Sequence, residues 1–499
     1  MVMMRTWIVF LFSLLIISDQ HVDGYTVSGH TYNTNGSSSD VQAAIDAASD
    51  GATVVIPDGS YVWSQPVTSN GFLHVVAQNY GQVTITRTYS GGDLLTMNAS
   101  TAGSVELAGF VFTSNMDGLS DNYSFTLMVN QLGGLPVLVH DCSFTTGYEY
   151  AIGWQGNGGV IWNCSFYTYS DLLGGISFVN TSQDDSYWNQ PDSMGASGDP
   201  SGTLNTYVED CSFYDAKMAM ANFDDNSRVV WRHNLMSNAI LASHGQETSI
   251  WGARHWEIYG NTFVYSTSGT AFGGDAYPLT MDTWFEVRGG TGVVTGNVMP
   301  DIPWGKAGIQ LNVFSINRVD SIPCQTGYPA AHQTGQGWSA SSNATFGIPV
   351  VSYDGTGAVL DPLYVWGNTG TETSDPGYVS VNQYSPDDCG FGEQIGVFLQ
   401  QNRDYFVDVA KPNWSPFTYP HPLRWRTQLE NAMAADGWSN PQINALSGFL
   451  SADSPWLDSQ NGYAVWEGEI NWDLWQGGFS DQQVQQFDSW VQAKPPPHN

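Results

Sequence analysis

A short phrase that returns along the chain constrains its fold more than any other sequence feature. Each copy alternates β-branched or aromatic residues with polar ones, then has a small turn-prone residue and a closing Phe or Met. The copies are VLVHDCSF (137–144), VIWNCSF (160–166), YVEDCSF (207–213), VVWRHNLM (229–236), EIYGNTF (257–263) and VVTGNVM (293–299), after a degenerate ELAGFVF (106–112). Imperfect repeats of this length indicate a solenoid.

The phrase predicts strands, because its apolar positions lack the spacing of a helix. A strand-only coil of about 22 residues is short of what a leucine-rich horseshoe with helices needs, and propeller blades are roughly twice as long. We therefore predict an all-β chain folded as a parallel β-helix.

Stacked coils would place equivalent residues in columns about 4.8 Å apart. The predicted inward column contains Leu107, Val139, Ile161, Val208, Trp231, Ile258 and Val294. Three positions further along, a second column contains Cys142, Cys164, Cys211, Asn234, Asn261 and Asn297. We interpret this column as a ladder at an interior turn, where an Asn side chain bonds the backbone of the next coil. The two longest gaps between copies hold excursions, 180–203 and 266–282, which we expect to wall a groove.

The two ends of the solenoid differ from its middle. Residues 39–48 predict a short helix, capped by Ser39 or Asp40, that closes the open end of the coil stack. Near the other end, 423–435 and 481–493 have helical character. The tail from 424 to 499 is either a cap on the last coils or a small appended sugar-binding module.

The first 24 residues predict export. They have a basic start at Arg5 and an apolar run, 7–17, that is too short to span a bilayer, which takes about 20 residues. We predict a secretory signal at 1–24, cleaved to leave an extracellular protein; an uncleaved anchor is the alternative.

Composition limits the partners of the chain. Its 14 Lys and Arg against 47 Asp and Glu give a net charge of −33, which excludes nucleic acid and anionic membranes as favourable partners. Only 12% of residues are charged, as expected of an extracellular β protein with a neutral surface. The 20 Trp and 24 Tyr either stack on sugar rings or pack inside wide coils.

Several segments carry a resemblance to a known class of proteins. The run SDVQAAIDAASDGATVVIPDGSYVWS (39–64) resembles the entry into pectate-lyase-like right-handed β-helices. Further segments resemble secreted bacterial right-handed β-helix repeat proteins: RVVWRHN (228–234), RHWEIYGNTF (254–263), EVRGGTGVVTGN (286–297), NRDYF (402–406) and YPHPL (419–423). The resemblance implies a right-handed β-helix over 25–423. It transfers no catalytic set, because such folds host lyases, hydrolases, esterases and binding proteins alike.

A candidate site lies where three coil segments, 220–226, 241–247 and 285–291, align beside the ladder. The scarce cations gather in this part of the chain, with carboxylates and a histidine among them. The candidate catalytic residues are His244, Arg288, Arg254, Asp224, Asp225, Glu286 and Lys217. The candidate substrate-binding residues are Asn222, Arg228, Arg232 and Glu247.

Two chemistries suit such a cluster. Elimination from a uronic acid needs a cation to neutralise the carboxylate, here Arg288 or Arg254, and a base, here His244, Lys217 or an Arg. Hydrolysis needs two carboxylates about 5–9.5 Å apart, for which Asp224 and Glu286 are candidates together with Asp225.

A third possibility involves no catalysis. In that case Arg232 belongs to a surface ion-pair ladder with Glu209 and Glu257, and the chain is a glycan-binding adhesin or matrix protein. In each case we expect a monomer whose partner is a polysaccharide. No cofactor is certain, and Ca²⁺ remains open although the chain lacks a calcium-loop motif.

The odd number of cysteines leads to a prediction about thiols. The ladder cysteines Cys142, Cys164 and Cys211 project in parallel, so we expect them to remain reduced, whereas Cys324 and Cys389 in loop-rich sequence form the disulfide. Thiol titration of the denatured, unreduced protein should therefore find three free groups. One or five would contradict this pairing.

Overall fold

The computed structural model describes most of the chain between residues 24 and 494. The described residues are 24–89, 91–114, 124–147, 150–168, 173–179, 188, 190–245, 252–265, 283–302, 308–312, 328, 333–337, 359–370, 379–382, 398–439, 442–443, 445–446, 450 and 463–494. Residues 1–23 of the predicted signal, the excursion 266–282 and both Cys324 and Cys389 lie outside them.

Short strands make up most of the described chain. In order they are β1 Thr26–Ser28, β2 Thr31–Asn33, β3 Ala52–Ile56, β4 Gly59–Trp63, β5 Val67–Asn70, β6 Leu73–Ala77, β7 Val83–Arg87, β8 Leu95–Asn98, β9 Glu106–Ala108, β10 Phe110–Ser114, β11 Leu127–Gln131, β12 Leu138–His140, β13 Ser143–Thr146, β14 Ile152–Gly156, β15 Val160–Trp162, β16 Ser165–Thr168, β17 Leu173–Val179, β18 Thr206–Glu209, β19 Ser212–Phe223, β20 Arg228–Arg232, β21 Leu235–Ser243, β22 His255–Tyr259, β23 Thr262–Val264, β24 Phe285–Val287, β25 Thr291–Thr295, β26 Ile309–Asn312, β27 Gln336–Gly337, β28 Val359–Leu360, β29 Leu363–Trp366, β30 Val379–Asn382 and β31 Tyr405–Val407. The helices are α1 Ser38–Ala47, α2 Gly195–Gly198, α3 Pro422–Ala435, α4 Tyr463–Gln476 and α5 Asp481–Ala493.

The strands stack into a coil with three faces, and from β2 onward neighbouring strands within a face run parallel. The first face is one sheet, in the order β1-β2-β3-β6-β9-β12-β15-β18-β20-β22-β25-β29-β31. The second face contains β4, β7, β10, β13, β16 and β23, and the third contains β5, β8, β11, β14, β17, β24, β26 and β30. The long strands β19 and β21 bend and contribute to both of these faces. This confirms the predicted right-handed parallel β-helix.

The inward column has the register that the sequence predicts. Leu107, Val139, Ile161, Val208, Trp231, Ile258 and Val294 are successive partners on neighbouring strands, and all are buried. The column also extends beyond the predicted copies, to Val75 before it and Val365 after it. A continuous apolar column of this kind is the hydrophobic core of the solenoid.

From β9 onward, each repeat leaves the first face through one residue in the left-handed region. The residues at this turn have positive φ and are Gly109, Asp141, Asn163, Asp210, His233, Gly260, Gly296 and Gly367. Glycine and short polar side chains adopt this conformation at the least steric cost. The turn-prone residue of each repeat therefore encodes the corner.

The residue after each corner forms the predicted ladder. The Asn261 side chain accepts from the Asn234 amide at 2.9 Å and donates to the Trp231 carbonyl at 2.8 Å, so that it joins two coils. It also donates to Asn297 Oδ1, at 2.9 Å, and Asn368 continues the ladder by one coil. The three ladder cysteines are buried free thiols, as predicted.

The helix α1 lies one residue earlier than predicted, with Ser37 as its N-cap. The Ser37 side chain accepts from the Asp40 amide, because the preceding turn leaves Ser37 extended. Val41, Ala44 and Ile45 are buried against the first coils. The helix thus packs its apolar side on the open end of the solenoid.

The C-terminal helices have a hydrophobic core of their own. The predicted helices are present as α3 and α5, and α4 lies between them in the Trp-rich segment, where the sequence predicted no helix. Leu429, Met433, Ile470, Leu474 and Phe487 are among the buried residues that form this second core. The domain boundary at 423 and 424 stays a prediction, as does the choice between cap and module.

The outer side of the first face is covered by two segments of the chain. Part of the predicted groove-walling excursion lies here: the Gly195 amide donates to Glu257 Oε1 at 2.9 Å, and the Ala196 amide donates to the Ser415 carbonyl. The segment that contains Phe417 follows, packed on Tyr207. The described part of 180–203 therefore contacts the first face. In the described residues, no helix is long and apolar enough to cross a membrane.

The Asn ladder leads to a prediction about stability. Replacing Asn261 by Ala removes three buried side-chain hydrogen bonds, two of them to the Asn234 amide and the Trp231 carbonyl of the neighbouring coil. We expect a loss of about 2–4 kcal/mol in the free energy of unfolding, measured with urea. Asn98→Ala is the control, because Asn98 bonds other side chains on the outside of the coil, and its loss should stay within about 1 kcal/mol. Equal losses would show that the ladder does not hold the coils together.

Candidate functional site

The candidate site is on the outer side of the third face. Along this face Ser177, Asn222, Ala242, Glu286 and Gln310 are partners on successive strands and form one outward row. Neighbouring strands lie about 4.8 Å apart, so side chains in a row lie side by side along the solenoid axis.

A second outward row contains three of the predicted catalytic residues. Asp224, His244 and Arg288 each lie two residues after the first row, at the exit of the third face. The His244 amide donates to the Phe223 carbonyl at 2.8 Å, and the Arg288 amide donates to the Ser243 carbonyl at 3.1 Å, which continues the strand register. We call these three candidate residues, Asp224, His244 and Arg288, the catalytic row.

The strand pairing changes one part of the sequence alignment. The sequence placed Asn222 beside His244 and Arg288, whereas its partners in the structure are Ala242 and Glu286. Side chains two residues apart on a strand share a face, so Asn222 still lies on the same outer surface.

Asp224 and His244 form a hydrogen-bonded pair. His244 Nδ1 lies 3.0 Å from Asp224 Oδ2, and the two side chains are 13% and 6% exposed. Because an ionised carboxylate can only accept, the contact favours the tautomer with a hydrogen on Nδ1. The contact also orients the ring, so that Nε2 is on the side away from Asp224.

The third member of the row, Arg288, is in contact with a carboxylate. Arg288 Nε lies 3.7 Å from Glu286 Oε2, and both side chains are partly accessible, at 14% and 28%. Cations are scarce in this chain, so the partly accessible guanidinium of Arg288 is a distinctive positive charge in this row.

The structure adds Tyr150, which the sequence had not indicated. Burial and the negative charge of Asp224 raise the pKa of Tyr150, and Arg288 partly opposes that increase. The phenol therefore keeps its proton at neutral pH, as a proton donor requires. Tyr150 precedes β14, on a coil distant in sequence from the cluster, so no repeat position marks it.

Asn222 has an unusual environment for an amide. It is 6% exposed, and its buried Oδ1 accepts no hydrogen bond from the residues that the structure describes. A buried acceptor of this kind is costly unless a ligand or water satisfies it. Asn222 is therefore a candidate contact for a bound substrate.

An outward row of amides runs along the third face toward the catalytic row. Asn98 donates to Asn70 at 2.6 Å, Asn130 donates to Asn98 at 2.7 Å, and Gln155 is the partner of Asn130 on the next strand. We call Asn70, Asn98, Asn130 and Gln155 the amide track. It offers hydrogen-bonding groups at strand spacing along the axis.

Three other predicted cations are used to hold the covering segments. Arg232 is buried on the first face, where its guanidinium bonds Glu209 at 2.7–2.8 Å and the carbonyls of Phe417 and Thr418 at 2.6 and 2.8 Å. This environment is that of a buried structural ion pair.

Arg228 and Arg254 hold the other covering segment. Arg228 donates to the Pro191 carbonyl at 2.7 Å, and Arg254 lies over the Trp188 ring and donates to the Gln190 carbonyl at 3.4 Å. The structure thus does not bring these side chains together with the catalytic row.

Three further predicted residues are Asp225, Lys217 and Glu247. Asp225 follows Asp224 in the turn, with φ of 39°, and its amide donates to Asp224 Oδ1. Lys217 lies in β19, and Glu247 lies outside the described residues. Among the residues that the structure describes, no group of three or more His, Cys, Asp or Glu side chains is arranged to hold a metal ion.

A second polar cluster lies on the first face. His74 Nδ1 and His140 Nε2 contact the two oxygens of Glu106 at 2.7 and 2.8 Å, and His140 Nδ1 contacts Asp141 at 2.7 Å. Burial favours neutral His140, but its bonds to Asp141 and Glu106 outweigh burial and raise the pKa of His140 to about 9. Its ring also stacks on Trp162 at 4.1 Å.

Comparisons with known proteins found similarity only among solved structures. No family model matches the chain, and no curated protein does. Among solved structures it is similar to an alginate lyase from Paenibacillus sp. str. FPU-7, at 14% identity and a TM-score of 0.29, over 54% of this chain and 94% of that one. It is also similar to the A-module of an Azotobacter vinelandii mannuronan C-5 epimerase, at 11% identity and 0.33, over 76% and 95%.

A further similar structure is a mannuronic acid specific polysaccharide family 6 lyase from human gut microbiota. Its identity is 13% and its TM-score 0.33, over 82% of this chain and 95% of that one. Scores this low carry no argument about activity, so the fold assignment depends on the strand pairing described above.

The raised pKa of His140 predicts a pH dependence of stability. Its folded-state pKa of about 9 lies above the ordinary 6.5, so the folded chain binds more protons in this interval. The stabilisation is therefore complete below pH 6.5 and is lost as the pH rises through 9, by roughly 3 kcal/mol. Urea unfolding at several pH values should show this decline, and His140→Gln should reduce its slope. His30→Ala, at an exposed histidine, is the control. An unchanged slope in His140→Gln would contradict the assignment.

Proposed function

We propose that the chain is an extracellular enzyme that cleaves a uronic-acid polysaccharide by β-elimination at the catalytic row. The observation that carries the proposal is the Asp224–His244 pair, with Arg288 as its neighbour on one outward row. Elimination needs a base, a positive charge for the substrate carboxylate and a proton donor for the leaving oxygen.

His244 is the proposed base. Asp224 accepts a hydrogen bond from Nδ1–H and so directs the lone pair of Nε2 to the substrate. Nε2 then takes the proton from C5 of the uronic acid. The Asp224 carboxylate also stabilises the imidazolium that forms, as carboxylates do in other histidine-based sites.

Arg288 is the proposed neutralising group. Removing the C5 proton moves negative charge onto the substrate carboxylate, and a guanidinium can bind both carboxylate oxygens at once. The positive charge also matters for binding, because a net charge of −33 repels a polyanion over a Debye length of about 8–10 Å.

Tyr150 is the proposed acid. The electron pair of the broken C5–H bond forms the C4–C5 double bond, the C4–O bond breaks, and the phenol of Tyr150 gives its proton to the leaving glycosidic oxygen. Burial and Asp224 raise the pKa of Tyr150, so it is protonated before this step. The products are an unsaturated uronate and a new hydroxyl end.

The neighbouring amides supply the proposed binding groups. Asn222 Oδ1 is a buried acceptor that a sugar hydroxyl would satisfy. The amide track extends in the same direction as the solenoid axis, so an extended chain along it places successive sugars beside Asn130 and Gln155.

The alternative is hydrolysis by paired carboxylates, which the contacts of those carboxylates disfavour. Asp224 is bonded to His244, and Glu286 lies beside Arg288. Each carboxylate is thus engaged by a neighbouring side chain, whereas a hydrolase needs one carboxyl group directed at the leaving oxygen and the other directed at the sugar or at the attacking water.

The test is a panel of polysaccharides that contains alginate, polygalacturonate and neutral glucans. The purified protein should release unsaturated uronate, measured by ultraviolet absorbance, in step with new reducing ends. His244→Ala and Arg288→Ala should each lower kcat by roughly 10²–10⁴, because each removes a group that acts in the transition state. His30→Ala and Arg426→Ala, at residues on other elements, are the matched controls and should keep full activity.

Each alternative has its own outcome. Reducing ends without unsaturated product would indicate the hydrolase, and Asp224→Ala would then be the most damaging variant. Binding without turnover of any polymer would indicate an adhesin. Full activity in folded His244→Ala and Arg288→Ala would place the site elsewhere.

A further inference from the structure

The outer side of the second face differs from those of the other two. Sixteen residues, two from each of eight strands, form two outward rows. One row is Ser60, Thr84, Val111, Ser143, Ser165, Ser212, Leu235 and Thr262, and the other is Val62, Thr86, Thr113, Thr145, Tyr167, Tyr214, Ser237 and Val264. All are intermediate or exposed. We call these two rows the neutral face.

The neutral face contains no charged residue. Its side chains are ten Ser or Thr, two Tyr and four aliphatic residues, in a chain whose net charge is −33. Eight strands at about 4.8 Å make the face about 34 Å long. A charged ligand gains nothing from such a surface, whereas an uncharged polyhydroxyl ligand can exchange hydrogen bonds with it at no cost in buried charge.

Two tyrosines lie side by side in the middle of the neutral face. The rings of Tyr167 and Tyr214 stack at 4.7 Å with an interplanar angle of 4°. The ring separation equals the strand spacing, so the second ring repeats the first by a translation along the solenoid axis. The smaller side chains of Thr145 and Ser237 precede and follow the pair in the same row, so the two rings are the largest side chains of that row.

One pair of hydroxyl groups on the neutral face is already ordered. Thr86 and Thr113 on neighbouring strands bond each other through their hydroxyls at 2.8 Å. Rigid hydroxyls on a sheet lose little conformational entropy when they bind, which favours a ligand with regularly spaced groups.

We propose that the neutral face binds an extended, uncharged polysaccharide lying along the solenoid axis, with sugar rings in contact with the rings of Tyr167 and Tyr214. The ligand is a neutral polymer, distinct from the uronic acid that the catalytic row would cleave. Binding there would hold the enzyme on a matrix in which the two polymers occur together. The neutral face and the catalytic row lie on different faces of the coil, so both sites can be occupied at once.

The test is depletion of the purified full chain by microcrystalline cellulose, with soluble glucomannan as a second neutral β-linked probe. Tyr167→Ala/Tyr214→Ala should raise the Kd roughly tenfold, about 1.4 kcal/mol, because both ring contacts are lost. Thr145→Glu/Ser237→Glu keeps both rings and places charge beside them, so it should weaken binding to a similar extent. Thermal unfolding checks that both variants are folded.

A matched control comes from the helix α4. Trp472 and Trp475 are 61% and 50% exposed, so they offer a comparable aromatic pair elsewhere on the chain. Trp472→Ala/Trp475→Ala should leave Kd unchanged. Turnover of the uronic-acid polymer should be unchanged in the Tyr167→Ala/Tyr214→Ala variant, so failure of this proposal and failure of the catalytic proposal are separable.

Three results would overturn the proposal. They are no binding of either neutral probe by the wild-type chain, equal loss of binding in the α4 variant, and concentration-dependent self-association abolished by Tyr167→Ala/Tyr214→Ala. The last result would assign the neutral face to contact with a second copy of the chain.

Discussion

The corner between the first and second faces fixes the register on which the rest of the structure depends. One left-handed residue turns the chain from the first face to the second, and an Asn side chain directly after it bonds backbone groups of the neighbouring coil. Because side chains alternate between inside and outside, a slip of one residue would exchange the two sets. The ladder therefore fixes the buried columns, the amide track, the catalytic row and the neutral face together.

The few cations of the chain serve two purposes. Arg232 and Arg228 lie under covering segments, where each guanidinium donates to backbone carbonyls of those segments. Arg288 remains partly accessible on the third face beside His244. A strongly acidic chain can bind a polyanion only where such a cation is left accessible, and this is why the catalytic row is the proposed site.

The sequence predicted the parts of the fold that repeat. The column through Val139 and Trp231 and the ladder through Cys164 and Asn261 follow from residue type at fixed spacing, since each position has the same neighbours in every coil. Details that occur once were less predictable. The N-cap is Ser37 because the preceding turn sets where the helix begins, and α4 had no repeat to mark it.

The site was predictable only in part for the same reason. His244 and Arg288 lie in adjacent coils close to repeat positions, so alignment brought them together. Arg232 shares the repeat pattern, but its fate depends on a C-terminal segment almost two hundred residues away, which no local spacing reveals. Tyr150 comes from a coil whose length differs from its neighbours, so its approach to Asp224 required the three-dimensional packing.

The proposed function requires a polysaccharide to lie along the third face with a carboxylate at Arg288. A crystal structure of His244→Ala soaked with tetrasaccharides prepared from alginate and from polygalacturonate would show this contact directly. We expect density along the outer third face, with one uronate carboxylate paired to Arg288 and its C5 facing the space left by the His244 ring. Density for the uronate chain on the first or second face, with an empty catalytic row, would contradict it.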